Sequence, residues 1–154
     1  MKTKLDLDNY LPYLVNRVGN IIAEQYGSEE LSCYGLSIAM WRIMAVLASH
    51  GGLRQIDLVA LTSIEVSTLS RIVTRMVRMG VVSRTRSASS TREVIVKLTP
   101  KGNAQVERLI PVAHAYEADA TAGLPDEDVA VLKRCLRRVY ANMQNRQVTA
   151  AAAE

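Results

Sequence analysis

Residues 51–102 read GGLRQIDLVALTSIEVSTLSRIVTRMVRMGVVSRTRSASSTREVIVKLTPKG, and this stretch decides the fold. A short helix is expected over Gln55–Leu61, then the tight polar connection Thr62-Ser63-Ile64-Glu65, then a second helix over Ser67–Met79. That second helix turns Leu69, Ile72, Val73 and Met76 to one side and Ser67, Ser70, Arg71, Thr74, Arg75 and Arg78 to the other. Gly80 suits the position just past its end. The pattern then changes period. Val81–Arg84 and Val94–Leu98 are β-branched and partly alternating, as strands are, and Ser87–Thr91 between them suits a polar hairpin tip.

Charge is concentrated on the same stretch. Residues 66–101 hold eight basic side chains (Arg71, Arg75, Arg78, Arg84, Arg86, Arg92, Lys97, Lys101) against one acid, Glu93. This segment carries +7 in a chain whose total is +4, so the remainder sums to −3. Such concentration implies a polyanionic partner, with double-stranded DNA the leading candidate. A helix that enters the major groove must offer short hydrogen-bonding side chains and Arg near its N-terminal end. Ser67, Thr68, Ser70, Arg71, Thr74 and Arg75 meet that requirement. At the hairpin, Arg92 suits the narrow minor groove, where negative potential is enhanced. Arg84 and Arg86 lie nearer the strand base, and bracing of the hairpin is the alternative role for Arg84. Arg54 and Gln55 suit phosphate contacts, with local capping as their alternative.

Outward from this centre the chain is helical. Leu11, Leu14, Val15, Val18, Ile21 and Ile22 define one face of a helix from Asp8 to about Tyr26, with Asp8 or Asn9 as its cap and Pro12 in its first turn. Gly27-Ser28 breaks it. Ser37 is the expected N-cap of the next helix, with Ile38, Trp41, Ala45 and Ala48 on one face and Met44 and Leu47 beside it, ended by His50-Gly51-Gly52. Thr99-Pro100-Lys101-Gly102 opens a long helix to about Ala122. After Gly123-Leu124-Pro125, Asp126 is placed to cap a last one, with Val129, Leu132, Leu136, Val139, Tyr140 and Met143 apolar and Lys133, Arg134, Arg137 and Arg138 outward. The Ala-rich tail 147–154 lacks periodicity and is expected to fray. Three amphipathic helices, 8–26, 102–122 and 126–146, exceed what one small core can bury, so they need each other or a second subunit.

Composition narrows the function classes. A 154-residue chain with 49% apolar and 22% charged residues is of globular composition and one ordinary domain in length. Phe is absent, so aliphatic side chains and Met must fill the core. No apolar run reaches the ~20 residues of a membrane span, and MKTKLDLDNY has no apolar segment of a secretory leader. Cys33 and Cys135 stand far apart without a CxxC spacing, consistent with a reduced, cytoplasmic chain. Two His and two Cys offer no metal-ligand spacing, and neither a Gly-rich phosphate loop nor a nucleophile triad suggests itself. The expectation is no enzyme, no metal and no cofactor.

Residues 35–102 resemble the MarR family (multiple antibiotic resistance regulators), dimeric winged-helix transcription factors. The likeness rests on Gly35-Leu36-Ser37 with Trp41-Arg42, on Ser67-Thr68-Leu69-Ser70-Arg71, on Gly80-Val81-Val82-Ser83-Arg84, and on Val96-Lys97-Leu98-Thr99-Pro100-Lys101-Gly102. Their order and spacing match without insertion, and flanking helices extend the likeness over about residues 8–146. Two positions depart from the family pattern. Ser90-Thr91-Arg92 stands where an Asp-x-Arg is usual, so the acid that braces the wing is missing. Glu65-Val66 replaces Asp-Pro at the start of the recognition helix, and Ser63 or Ser67 is expected to cap in its place.

The resemblance implies a mostly α fold with a small β wing: a winged helix-turn-helix over 36–101, with dimerisation helices over 8–34 and 102–146. It implies a homodimer on a pseudo-palindromic operator, with the two recognition helices about one DNA turn apart. It also implies a small effector, often an aromatic acid, between the dimerisation helices and the winged part. Tyr13, Arg17, Met40, Trp41, Met44 and His114 are the candidates, Arg17 meeting a carboxylate and Trp41 and the methionines forming apolar walls. The expected function is a ligand-responsive repressor. The alternatives are a winged-helix module that binds only protein and a repressor that senses oxidants through Cys33.

Overall fold

The computed structural model describes residues 4–25, 28–86 and 94–151. Two compact units make up the chain, Met1–His114 and Ala115–Glu154. The described residues form seven α-helices: α1 (Leu11–Gln25), α2 (Ser28–Cys33), α3 (Ile38–His50), α4 (Gln55–Thr62), α5 (Val66–Arg78), α6 (Pro100–Ala120) and α7 (Asp126–Ala151). Three strands, β1 (Leu53–Arg54), β2 (Val82–Arg86) and β3 (Val94–Leu98), form an antiparallel sheet in the order β1-β3-β2.

In the first unit the core is aliphatic and sulfur-rich, as a chain without Phe requires. Met40, Trp41, Ile43, Met44 and Leu47 of α3 are buried with Leu58 of α4, Leu69, Val73 and Met76 of α5, Val82 and Val96 of the sheet, and Val106 and Leu109 of α6. Each such side chain contributes roughly 1.5–3 kcal/mol through loss of water contact. Ser37 caps α3 as expected, its hydroxyl accepting from the Met40 amide at 3.3 Å.

Two helices of this unit end in the same way. At the end of α5 the Gly80 amide bonds Val77 O at 2.9 Å and the Val81 amide bonds Met76 O at 3.2 Å. At the end of α2 the Gly35 amide bonds Ser32 O and the Leu36 amide bonds Leu31 O, both at 2.9 Å. Gly80 and Gly35 hold φ of 71° and 66°, the left-handed conformation that this closure demands and that Gly adopts at no steric cost.

The start of α6 is clamped to the end of α5. Thr99 Oγ1 donates to Gly80 O at 2.7 Å and accepts the Gly102 amide at 3.1 Å, and Lys101 Nζ donates to Met79 O at 2.9 Å. A Cβ on Gly102 would run into Val81 O, so the two backbones meet there only because residue 102 is Gly.

Several boundaries differ from the sequence expectations. The chain before α1 makes a 3-10 turn over Leu7–Asn9, where Asn9 Nδ2 donates to Asp6. α1 starts at Leu11, and Tyr10 O accepts the Tyr13 and Leu14 amides, so neither Asp8 nor Asn9 is its cap. α2 and β1 were not expected. β1 is two residues long and exists through pairing, Leu53 with Val96 and Arg54 with Ile95. β2 runs on to Arg86. α7 continues to Ala151, beyond the end of its apolar repeat, as the high helix propensity of Ala allows. Asp126 is its first residue, not its cap. In the second unit Lys133 pairs with Glu117 at 2.6 Å, which ties α7 to the end of α6. No helix among the described residues is long and apolar enough to cross a membrane.

Candidate nucleic-acid interface

α4 and α5 are joined by Ser63, which takes φ 54° and closes α4 through its amide to Val59 O at 3.0 Å. The N-cap of α5 is Glu65, which corrects the expectation of Ser63 or Ser67. Its carboxylate accepts the Thr68 amide at 3.0 Å and the Ser67 hydroxyl. Hydrogen bonding from Ser67, hydroxyl first, and from the Thr68 amide lowers the Glu65 pKa to about 2. Ser67 thus serves the cap and is not itself the cap.

Beyond the cap the helix is two-sided. Leu69, Val73 and Met76 are buried, while Arg71, Arg75 and Arg78 are exposed at intervals of four and three residues, which is one face of a helix. Ser70 and Thr74 lie between them, half-buried. Together these five residues line an open recess of about 320 Å³. A second recess of about 260 Å³ runs beside it, lined by Ser37, Met40, Thr68, Arg71, Ile72 and Arg75. Arg78 joins the site beyond the residues that the sequence picks out, although its spacing from Arg71 and Arg75 is readable there.

Other candidates are already engaged. Arg54 forks onto Asp57, Nε to Oδ2 at 2.8 Å and Nη2 to Oδ1 at 2.9 Å, and this hydrogen bonding lowers the Asp57 pKa. Gln55 is half-buried at the start of α4. Arg84 Nη2 donates to Thr74 Oγ1 at 3.1 Å and to Ser70 O at 3.2 Å. Arg86 is exposed at the outer end of β2. Arg92 and the tip Ser87–Thr91 lie outside the described residues.

The six effector candidates do not share one environment. Met40, Trp41 and Met44 are core side chains, 2%, 8% and 0% exposed. Tyr13 and Arg17 meet on α1, the guanidinium carbon 5.6 Å from the ring centroid, an arrangement that favours cation–π attraction. His114 is exposed, and so are the free thiols of Cys33 and Cys135.

A short helix, a tight turn, a basic amphipathic helix and a β-hairpin, in this order on one core, define a winged helix-turn-helix DNA-binding protein. The comparisons agree. The MarR family pattern matches residues 36–94. The crystal structure of a MarR family transcriptional regulator from Silicibacter pomeroyi superposes with a TM-score of 0.80 at 30% identity, covering 91% of this chain and 96% of that one. An HTH-type transcriptional repressor of Mycobacterium tuberculosis is 28% identical over 132 residues, 86% of this chain and 94% of the relative. The fold is also that of Bordetella bronchiseptica BpsR, a protein whose DNA binding is regulated by 6-hydroxynicotinic acid (TM-score 0.73, 22% identity, 84% and 97% covered). The chain belongs to the MarR family. It is a DNA-binding transcription regulator and not an enzyme.

Proposed function

We propose that the chain is a repressor that holds a pseudo-palindromic operator as a homodimer and leaves it when a small effector binds. The observation that carries the DNA half is the exposed face of α5, where Arg71, Arg75 and Arg78 surround Ser70 and Thr74 on a helix anchored by its opposite side. α5 enters the major groove, Arg71 and Arg75 reaching base edges or phosphates; Arg86 adds a cation at the outer end of β2, and Arg92 keeps the minor-groove role read from the sequence. Thr68 lines the recess beside Arg71 and Arg75; Gln55 keeps the phosphate role read from the sequence, and Ser67 and Arg54 take one only by leaving Glu65 and Asp57.

Dimerisation is assigned to the segments 8–34 and 102–146. Its support is the apolar surface of α1 and α7, exposed in the single chain: Leu11, Val18 and Ile21 on one, Leu132, Leu136 and Met143 on the other. For the effector the reading is a small aromatic acid, by likeness to the Bordetella protein. Arg17 and Tyr13 offer a cation and a ring on α1 and His114 an exposed imidazole, whereas Met40, Trp41 and Met44 are core side chains that an effector would reach only if the core opened.

A mobility shift on DNA upstream of the gene, at about 50 and 200 mM salt, tests the reading. Affinity should fall roughly a thousandfold between the two if each dimer neutralises six or more phosphates. Affinity indifferent to salt would replace it with a protein-binding module. Titrating 6-hydroxynicotinate and simple benzoates into the complex tests the effector half. Unchanged operator affinity at saturation would remove that half alone.

A further inference from the structure

The wing hairpin reaches past the core, and its attachment thins along its length. On β2, Val82, Arg84 and Arg86 share one face, since alternate residues of a strand do. Val82 is buried and pairs with Leu98, while Arg86 is exposed and pairs with Val94 at the far end. Arg84 stands between them, opposite the buried Val96. Its side chain is where apolar anchoring by β2 gives way to polar anchoring. Nη2 donates to Thr74 Oγ1 at 3.1 Å and to Ser70 O at 3.2 Å, and Thr74 Oγ1 itself donates to Ser70 O at 2.8 Å. Ser70 and Thr74 are one turn apart on α5, between the arginines proposed to meet DNA.

We propose that Arg84 is a positioning residue: it fixes the wing to the recognition helix through Thr74 and Ser70 and does not itself contact DNA. Its consequence for affinity rests on the DNA-binding reading above, but the strut itself does not. The Thr74 hydroxyl is reassigned with it, because its hydrogen goes to Ser70 O and its lone pair to the guanidinium. Base reading by α5 is left to Arg71, Arg75 and the side chains before them. Two neighbouring surfaces, helix and wing, are thereby held at one angle before DNA arrives, which lowers the ordering cost of binding.

Two measurements on the full chain test this. In the free protein, Thr74→Val and Arg84→Met should each raise amide hydrogen exchange in 82–86 and 94–98 by about five- to tenfold, the scale of one lost hydrogen bond, with Thr74→Ser close to the parent. Circular dichroism verifies that the variants remain folded. On the operator, both variants should weaken binding by about five- to tenfold with the salt slope unchanged, and the double variant should be no worse than Arg84→Met alone. A slope that falls by about one per subunit in Arg84→Met, with Thr74→Val neutral and wing exchange unaltered, would overturn the proposal and make Arg84 a phosphate contact. If the parent chain bound no duplex at all, the DNA-binding reading would fall, and the exchange data alone would decide the strut.

Discussion

α5 and α1 are built on the same amphipathic plan and end in opposite situations. On α5 the apolar stripe is consumed by its own chain: Leu69, Val73 and Met76 are each 0% exposed. On α1 the stripe is left to solvent, with Val18 54% and Ile21 50% exposed and no buried residue in the helix. α7 repeats the situation of α1, with Leu132 at 45% and Met143 at 55%. Amphipathicity therefore says that a helix needs cover, not where the cover comes from. α5 finds it in α3, α4 and the sheet, which lets its polar side face outward with a fixed set of cations. The stripes of α1 and α7 suit a second copy of the chain.

The contrast breaks first at α7. Leu132→Glu with Leu136→Glu places charges on that stripe in both copies at once, and the dimer dissociation constant should rise roughly 100-fold or more in analytical ultracentrifugation. A variant that stays dimeric at the parent's concentration would free α7 from the interface. The matching change on α5, Leu69→Ala, should leave association alone and lower unfolding stability by about 2–5 kcal/mol in urea, because it empties space in the core. Arg71→Ala probes the outward side of the same helix and should cost about 1–3 kcal/mol of operator affinity without shifting the unfolding midpoint. Equal weakening on random duplexes would assign Arg71 to phosphates instead of bases.

The smallest effect sharpens the comparison at the start of α5. Glu65 is held below its ordinary carboxylate range, so its cap stabilises the ionised form. A depressed folded pKa gives stability that is fully present above the unfolded value, near 4.5, and is lost as pH falls toward about 2. Thermal midpoints of the parent should decline across that window slightly more steeply than those of Glu65→Gln. Parallel profiles would mean that the carboxylate does no more there than an amide.

What the sequence made readable followed local rules. The apolar spacing located α3, α5 and β3 to within a residue or so, and Ser37 and Gly80 marked ends that the structure keeps. The misses have physical reasons. α2 is too short for a period to develop, yet Leu31-x-x-x-Gly35-Leu36 carries the same closing signal as Met76-x-x-x-Gly80-Val81. β1 has no local cause, because two residues become a strand only by pairing with β3, some forty positions away. Glu is not among the preferred N-cap residues, and at Glu65 the carboxylate serves by accepting both the Thr68 amide and the Ser67 hydroxyl. At the site, the cationic face of α5 was legible because charge and period coincide. A bracing role for Arg84 was readable as an alternative, but its partners Thr74 and Ser70, and the pairing of Arg54 with Asp57, were not, since a sequence lists cations without saying which partners they meet.

The junction of Thr99, Lys101 and Gly102 with the last turn of α5 fastens the first turn of α6 to the end of the recognition helix. With a bare glycine at the crossing and two side-chain ties beside it, the root of α6 sits directly against the turn that carries Arg75 and Arg78. A displacement at the root of α6 is therefore met first by the last turn of α5, directly beyond Arg75 and Arg78.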